Sequence, residues 1–216
     1  MRIFLGYDPR QPVAVQVLIR SIYDRSSRPV SITPLVLSQL PIKRVGLTEF
    51  TYSRYLCPFL CNYEGWSLFL DADMLLLDDI SKLFDLAEDK YAVMVVKNTQ
   101  LRFEWPSLML FNNAKCQKLT PEYIDNPRTH PQSFEWAEEV GPLPEEWNHC
   151  IGYDKPKKAK LVHFTQGIPC FPETKDSEYR SEWNEDLKMC NGTVSWKEIM
   201  GNSVHAKPVY ERLAKQ

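Results

Sequence analysis

Trp66-Ser67-Leu68-Phe69-Leu70-Asp71-Ala72-Asp73-Met74-Leu75-Leu76-Leu77 is the stretch on which the fold turns. An apolar run of strand length ends in two carboxylates and is followed at once by a second apolar run. Acidic groups between greasy neighbours are costly unless something positive meets them. A strand end meets that demand. On an extended segment side chains two apart point the same way, roughly 6.5–7 Å apart. Asp71 and Asp73 are then within common reach of one divalent ion, a hard cation that takes oxygen ligands and shares them with a diphosphate.

Upstream, Arg2 to Tyr7 reads as a buried strand stopped by Asp8-Pro9. Pro12 suits the first turn of a helix, and Val13, Ala14, Val17, Leu18, Ser21 and Ile22 give it one face through Arg25. Ser26-Ser27-Arg28-Pro29 breaks it, and Val30 to Leu35 is a second strand. Strand, helix, strand is the grammar of a parallel sheet. Further on, Thr51 is read as the cap of a helix to Cys61 that Pro58 must kink or shift. Asp78 or Asp79 caps a short helix, Ile80 to Leu86. Ala92 to Val96, Ser107 to Phe111 and Lys160 to Phe164 are strand candidates, and Ser177 to Met189 is a helix. Residues 120–154 are irregular and proline-rich, a region whose length suggests function. The expected fold class is α/β: a Rossmann-like, mostly parallel mixed sheet flanked by helices, in one domain spanning 1–216.

Three other groups join the acidic pair. His163 closes the late strand, and an imidazole in an oxygen-rich site favours manganese over magnesium. Arg54 is a fork-shaped donor suited to carboxylates and diphosphate. Gly6-Tyr7-Asp8 lies where a ligand crevice forms in open α/β sheets, beyond a strand's carboxyl end. Gly167 allows close backbone approach to a phosphate.

Taken in order, these pieces resemble glycosyltransferase family 8 and its bacterial relatives, retaining enzymes of the GT-A fold. The matching segments are Ile3–Asp8, Ser53-Arg54-Tyr55, Leu68–Met74, Ser107–Asn113, Leu143–Asn148 and Val162-His163-Phe164-Thr165. The resemblance implies a transfer of sugar from a nucleotide-sugar, expected to be a UDP-sugar, to a hydroxyl acceptor. It implies manganese, with magnesium the alternative, held by Asp71, Asp73 and His163. Gly6, Tyr7 and Asp8 would line the nucleoside pocket, with Ala72 and Gly167 beside the cofactor. Arg54 would orient the diphosphate. Asn112 and Asn113 would face the donor sugar or acceptor, and Glu135, with Ser133 and Trp136, would flank the reacting face. Residues 1–115 would bind the nucleotide-sugar, and 116–216 would receive the acceptor and close the site. One departure stands out: many members carry a diphosphate-gripping lysine before the proline of the His-Phe segment, and Ile168 stands there. The metal, Arg54 or another basic residue such as Lys97 or Arg102 would have to supply that charge. The departure leaves an alternative, a nucleotide-sugar-binding protein with weak or no turnover.

Bulk properties set the remaining bounds. A chain of 216 residues, 44% hydrophobic and 25% charged, buries a sizeable core. Net charge of −2 gives no reason to expect a nucleic-acid partner. No run is long enough for a transmembrane segment. Six cysteines without a Cys-x-x-Cys pair, and a start that lacks a secretory pattern, point to reduced thiols and the cytoplasm. In that compartment Asn191-Gly192-Thr193 is a chance match to a glycosylation acceptor. Oligomeric state is left open.

Overall fold

A computed structural model describes residues 1–155, 157–190 and 206–213. Asn191-Gly192-Thr193 lies outside the described residues. The central sheet has six strands in the order β2-β1-β3-β6-β5-β7. They are β1 (Arg2–Gly6), β2 (Ser31–Leu35), β3 (Trp66–Leu70), β5 (Val93–Val96), β6 (Leu108–Asn112) and β7 (Val140–Leu143). β1 pairs in parallel with β2 and β3, and β5 with β7, whereas β6 runs antiparallel to β3 and β5. The sheet is therefore mixed, with parallel pairs in the majority. A second sheet, β4-β9-β8, joins β4 (Met74–Leu76), β9 (Leu161–His163) and β8 (His149–Cys150).

The strands read as apolar runs because they are covered. Ile3, Leu5, Leu68, Phe69, Leu70, Val93, Val95 and Leu108 through Phe111 are buried. Helix α1 (Pro12–Arg25) starts with its proline in the first turn and buries Ala14, Val15, Val17, Leu18, Ser21 and Ile22. Val15 lies on that face, and Val13 is only partly buried. The helix lies against β4 and against α6 (Arg180–Cys190). Ser21 fixes this docking: its hydroxyl donates to the Leu18 carbonyl at 2.8 Å and accepts from the Leu76 amide at 3.1 Å.

The expected helix from Thr51 to Cys61 is instead three short pieces: α2 (Phe50–Ser53), a 3-10 turn at Arg54–Leu56 and α3 (Cys57–Leu60). Pro58 is the cause. It sits in the first turn of α3, where its missing N–H costs nothing, and the tighter turn before it absorbs the break. Thr51 lies inside α2, where its hydroxyl accepts from the Thr48 amide. The irregular stretch carries the short helix α5 (Pro121–Asp125) as well as β7 and β8.

Asp79 precedes helix α4 (Ser81–Phe84) and ties it to the turn after α1. Its carboxylate accepts from the amide and hydroxyl of Ser27 and of Ser81. Partial burial works against its charge, but these donors outweigh it and hold the carboxyl well below its usual range. A carboxyl lowered on folding stabilises the fold above its unfolded pKa of about 3.9 and loses that contribution as pH falls through the folded value. Asp79→Asn is expected to cost roughly 1–2 kcal/mol at neutral pH, discounted for solvent screening. Urea unfolding should show the gap between wild type and variant shrinking below about pH 4. A gap independent of pH would refute the carboxylate's role.

Candidate functional site

β1 and β3 end side by side, Leu5 level with Leu70, so Gly6–Asp8 and Asp71–Asp73 emerge at the same edge of the sheet. The acidic pair does not sit on extended backbone. Ala72 and Asp73 form a turn between β3 and β4, and this turn turns the two carboxylates toward one another. Two hydrogen bonds hold it: the Asp71 amide donates to the Ser107 carbonyl at 2.9 Å, and the Phe164 amide donates to the Asp73 carbonyl at 2.9 Å. The antiparallel ladder of β4 with β9 sets His163 level with Met74. One ligand atom each from Asp71, Asp73 and His163 then lies within 4.8 Å of the others.

This group forms the floor of a cleft of about 310 Å³. Phe50, Thr51, Arg54, Phe103, Gln132 and Thr165 are among the residues that wall it. Asp71 Oδ1 and Asp73 Oδ1 are buried without a hydrogen-bond donor. The Arg54 Nη1 is 3.1 Å from the first and the His163 Nε2 is 3.3 Å from the second, close in distance but not aligned as hydrogen bonds. Buried acceptors left in this way cost about 1–3 kcal/mol each. Two carboxylate oxygens and an imidazole nitrogen converging at the floor of a cleft fit a divalent cation of the manganese or magnesium type.

The electrostatics agree. Burial pushes the Asp71 carboxyl up to about 7, with Arg54 pulling it down and Asp73 pushing it further up. Burial works against a charged His163, yet Asp73 outweighs it and holds the imidazole well above the usual histidine range. The imidazole thus offsets the carboxylates here, a task a cation at the same place would take over. Arg54 is fixed by bonds to the carbonyls of Phe50 (3.2 Å) and Pro106 (2.9 Å), and its guanidinium lies over the rings of Phe50 and Phe69.

The other sequence candidates are placed as follows. Gly6 makes room for Phe50, whose ring would lie 2.6 Å from an added Cβ. Tyr7 is half-buried against the core. Asp8 is engaged by Arg10, which donates to Oδ1 at 2.9 Å and to Oδ2 at 2.5 Å and lowers its pKa. Arg10 also reaches the Leu47 carbonyl on the cleft wall. Ala72 is buried in the turn. Gly167 adopts a φ of +118°, a left-handed value that a side chain resists, and packs near the Phe171 ring.

Three expectations are corrected. Asn112 is level with Trp66, at the opposite end of β3 from Asp71. There Asn113 accepts from the Ser67 hydroxyl and donates to the Glu64 carbonyl, so this pair of asparagines anchors a turn and does not face the cleft. Glu135 is exposed and does not line the cleft, while Trp136 is buried in an aromatic cluster. Lys97 donates to the Val140 carbonyl and Arg102 lies over the Trp105 ring, and neither lines the cleft, where Arg54 is the one lysine or arginine among the described lining residues.

The structure adds Glu104, which the sequence reading missed. Its carboxylate lines the cleft, mostly buried, 3.7 Å from His163 Nδ1. Burial raises its pKa, with His163 opposing and Asp73 adding to the rise. The only signal in the sequence was an acid between two aromatics, Phe103-Glu104-Trp105, a pattern that solvated surfaces also show.

No protein-family model matches the chain. It is 38% identical to Protein CDI of Arabidopsis thaliana over 226 aligned positions, which cover 88% of this chain and 87% of that protein. Among solved structures it is similar to the glycosyltransferase GlyE of Streptococcus pneumoniae TIGR4, with a TM-score of 0.67 at 19% identity. That match covers 96% of this chain and 64% of GlyE, so the chain spans less than two thirds of the solved protein. It is also similar to the galactosyltransferase LgtC, solved with donor and acceptor sugar analogues, with a TM-score of 0.60 at 12% identity. These two likenesses establish the GT-A fold of glycosyltransferases. The described residues include no helix long and apolar enough to cross a membrane.

Proposed function

The chain belongs to the family of Protein CDI, and from that premise and its GT-A fold we propose that it is a metal-dependent glycosyltransferase. The donor is a nucleotide-sugar, a UDP-sugar by preference, the acceptor is a hydroxyl, and the anomeric configuration is retained. The observation that carries this reading is the convergence of Asp71, Asp73 and His163 on one point at the floor of the cleft. Manganese bound there would neutralise charge building on the departing diphosphate.

The side chains supply the rest. Arg54, prefixed by the carbonyls of Phe50 and Pro106, offers a rigid cationic fork to the diphosphate without having to be ordered during the reaction. The bond from the anomeric carbon to the diphosphate oxygen breaks, the bond to the acceptor oxygen forms on the same face, and the acceptor's proton passes to the leaving phosphate. Glu104, held against the imidazole, is a positioning residue: it favours the tautomer in which Nδ1 carries the proton and Nε2 faces Asp73. Glu104→Gln should weaken manganese binding by roughly 10–100-fold, measured by calorimetry on the protein without donor, and Glu104→Asp should recover part of the loss. Unchanged manganese affinity in Glu104→Gln would remove this role.

The test of the whole reading is titration of UDP with and without manganese, followed by hydrolysis of UDP-sugars. Metal-dependent binding with turnover supports it, and metal-independent binding or none overturns it. One observation favours the second reading, a nucleotide-sugar binder without turnover. Ile168, at the lysine position of the resembling family, is part of the core and 1% exposed, so that position offers the diphosphate no cation. Tight manganese-dependent binding of UDP-sugars with no hydrolysis or transfer would select it.

A further inference from the structure

Beside the metal cleft lies a second cavity of about 610 Å³, within the usual size range of small-molecule sites. The two share Phe103 as a common wall. Phe103 is 63% exposed and Tyr153, across the second cavity, is 52% exposed. Their rings meet edge to face, with centroids 5.8 Å apart and planes at 72°. Two large rings left in water at the lip of a cleft forgo the stabilisation that covering them would give. Together they make an apolar corner, one ring presenting its face where the other presents its edge.

The remaining walls are polar apart from Leu101, and several are tied by hydrogen bonds and ion pairs. Asn98 donates through its side-chain amide to Asp154 Oδ1 at 3.3 Å and accepts from the Gln100 amide at 3.0 Å. Asp154 Oδ2 accepts from the Cys150 amide. Lys157 lies 3.3 Å from Glu145 and 3.6 Å from Asp154, and Lys155 lines the cavity as well, so two carboxylates face two lysines and their charges largely cancel. An apolar corner edged by fixed amides and carboxylates, with little net field, suits a ligand with one C–H face and a rim of neutral hydroxyls.

We infer that this cavity is the acceptor subsite and that its occupant is an uncharged pyranoside stacked on Phe103 and Tyr153. The inference rests on the transferase reading above, because the shared Phe103 wall is what brings an acceptor hydroxyl beside the donor. With Lys157 paired twice and the two lysines matched by two carboxylates, the cavity carries no excess positive charge for an acidic sugar, which is why a neutral ring is named.

The test uses the whole chain with manganese and UDP. Saturation-transfer NMR with a panel of methyl pyranosides, uronic acids and sugar phosphates reads acceptor contact directly, and transfer kinetics on the best neutral acceptor read KM. Tyr153→Ala should lose most of the saturation signal and raise acceptor KM about tenfold. Its calorimetric Kd for manganese–UDP should match wild type, and Tyr153→Phe should bind the pyranoside as wild type does. The inference is overturned if no pyranoside contacts wild type, if Tyr153→Ala binds the panel as wild type does, or if the acidic sugars bind best. It is also overturned if Tyr153→Ala weakens manganese–UDP alone, which would make the rings part of the donor site. A wild type that fails to bind UDP with manganese, yet saturates a pyranoside through Tyr153, would instead sink the transferase reading and leave a sugar-binding site.

Discussion

On the proposed reading, Asp73→Ala is expected to abolish manganese-dependent UDP binding and to lower sugar transfer by roughly 10²–10³-fold, the share of the barrier that a bound divalent ion would supply as charge stabilisation. The fold should survive the change. Asp73 is partly exposed at the cleft floor, its Oδ1 has no hydrogen-bond donor, and the contact that shapes its turn is made by its backbone carbonyl. Asp71 is a poorer probe. Its carboxylate is buried beside Arg54, and removing it leaves a cation without its partner, a loss of about 3–5 kcal/mol that would blur chemistry with unfolding. Calorimetry for UDP with manganese, paired with a thermal melt, separates the two effects for Asp73→Ala. Metal-stimulated transfer persisting in a folded variant would remove Asp73 from the chemistry.

Trp136→Ala is expected to destabilise the chain by about 3–5 kcal/mol, which for a domain of this size corresponds to a fall in Tm on the order of 10 °C. Trp136 is 2% exposed and in ring contact with Tyr55, Phe111 and Phe134, and its indole N–H donates to the Pro131 carbonyl at 2.8 Å. Its removal opens a void and takes from that carbonyl one of its two donors, the Phe134 amide at 3.1 Å being the other. Phe134, at a left-handed φ of +63° where it ends the turn Pro131–Ser133, packs in the same cluster, which also includes Trp105. Phe134 is therefore expected to rearrange with Trp136. Urea unfolding followed by fluorescence of the remaining tryptophans gives the number. A loss under about 1 kcal/mol would show that the cluster closes over the gap.

What could be read from the chain follows from how local the cause was. Trp66–Leu70 and Pro12–Arg25 were legible to the residue, since an apolar run ending in acids and a proline-led amphipathic segment each specify their own structure. Arg54 and His163 were legible as residues that could approach the acidic pair, and the structure places both there. Met74–Leu76 was legible as apolar but not as a strand, because its partner lies far along the chain in Leu161–His163. Val140–Leu143 was hidden for the same reason: it holds a glycine and a proline and is made a strand by pairing with β5. Asn112 and Asn113 looked like site residues because they end a strand. Only the antiparallel direction of β6 shows that they end it at the far side. Glu104 and Tyr153 carried no spacing signal, being placed by turns whose shape depends on packing.

The ladder of Met74–Leu76 with Leu161–His163 works as a clasp that closes the whole excursion from Leu77 to Lys160. Lengthening a closed excursion is cheap, about 0.6 kcal/mol for each doubling. Slipping the clasp by one residue is not, since it would turn the imidazole to the other face. The chain is thereby free to vary in length around the proposed acceptor cavity while the corner of Asp71, Asp73 and His163 keeps its geometry, so insertions there would change specificity without retuning the proposed donor centre.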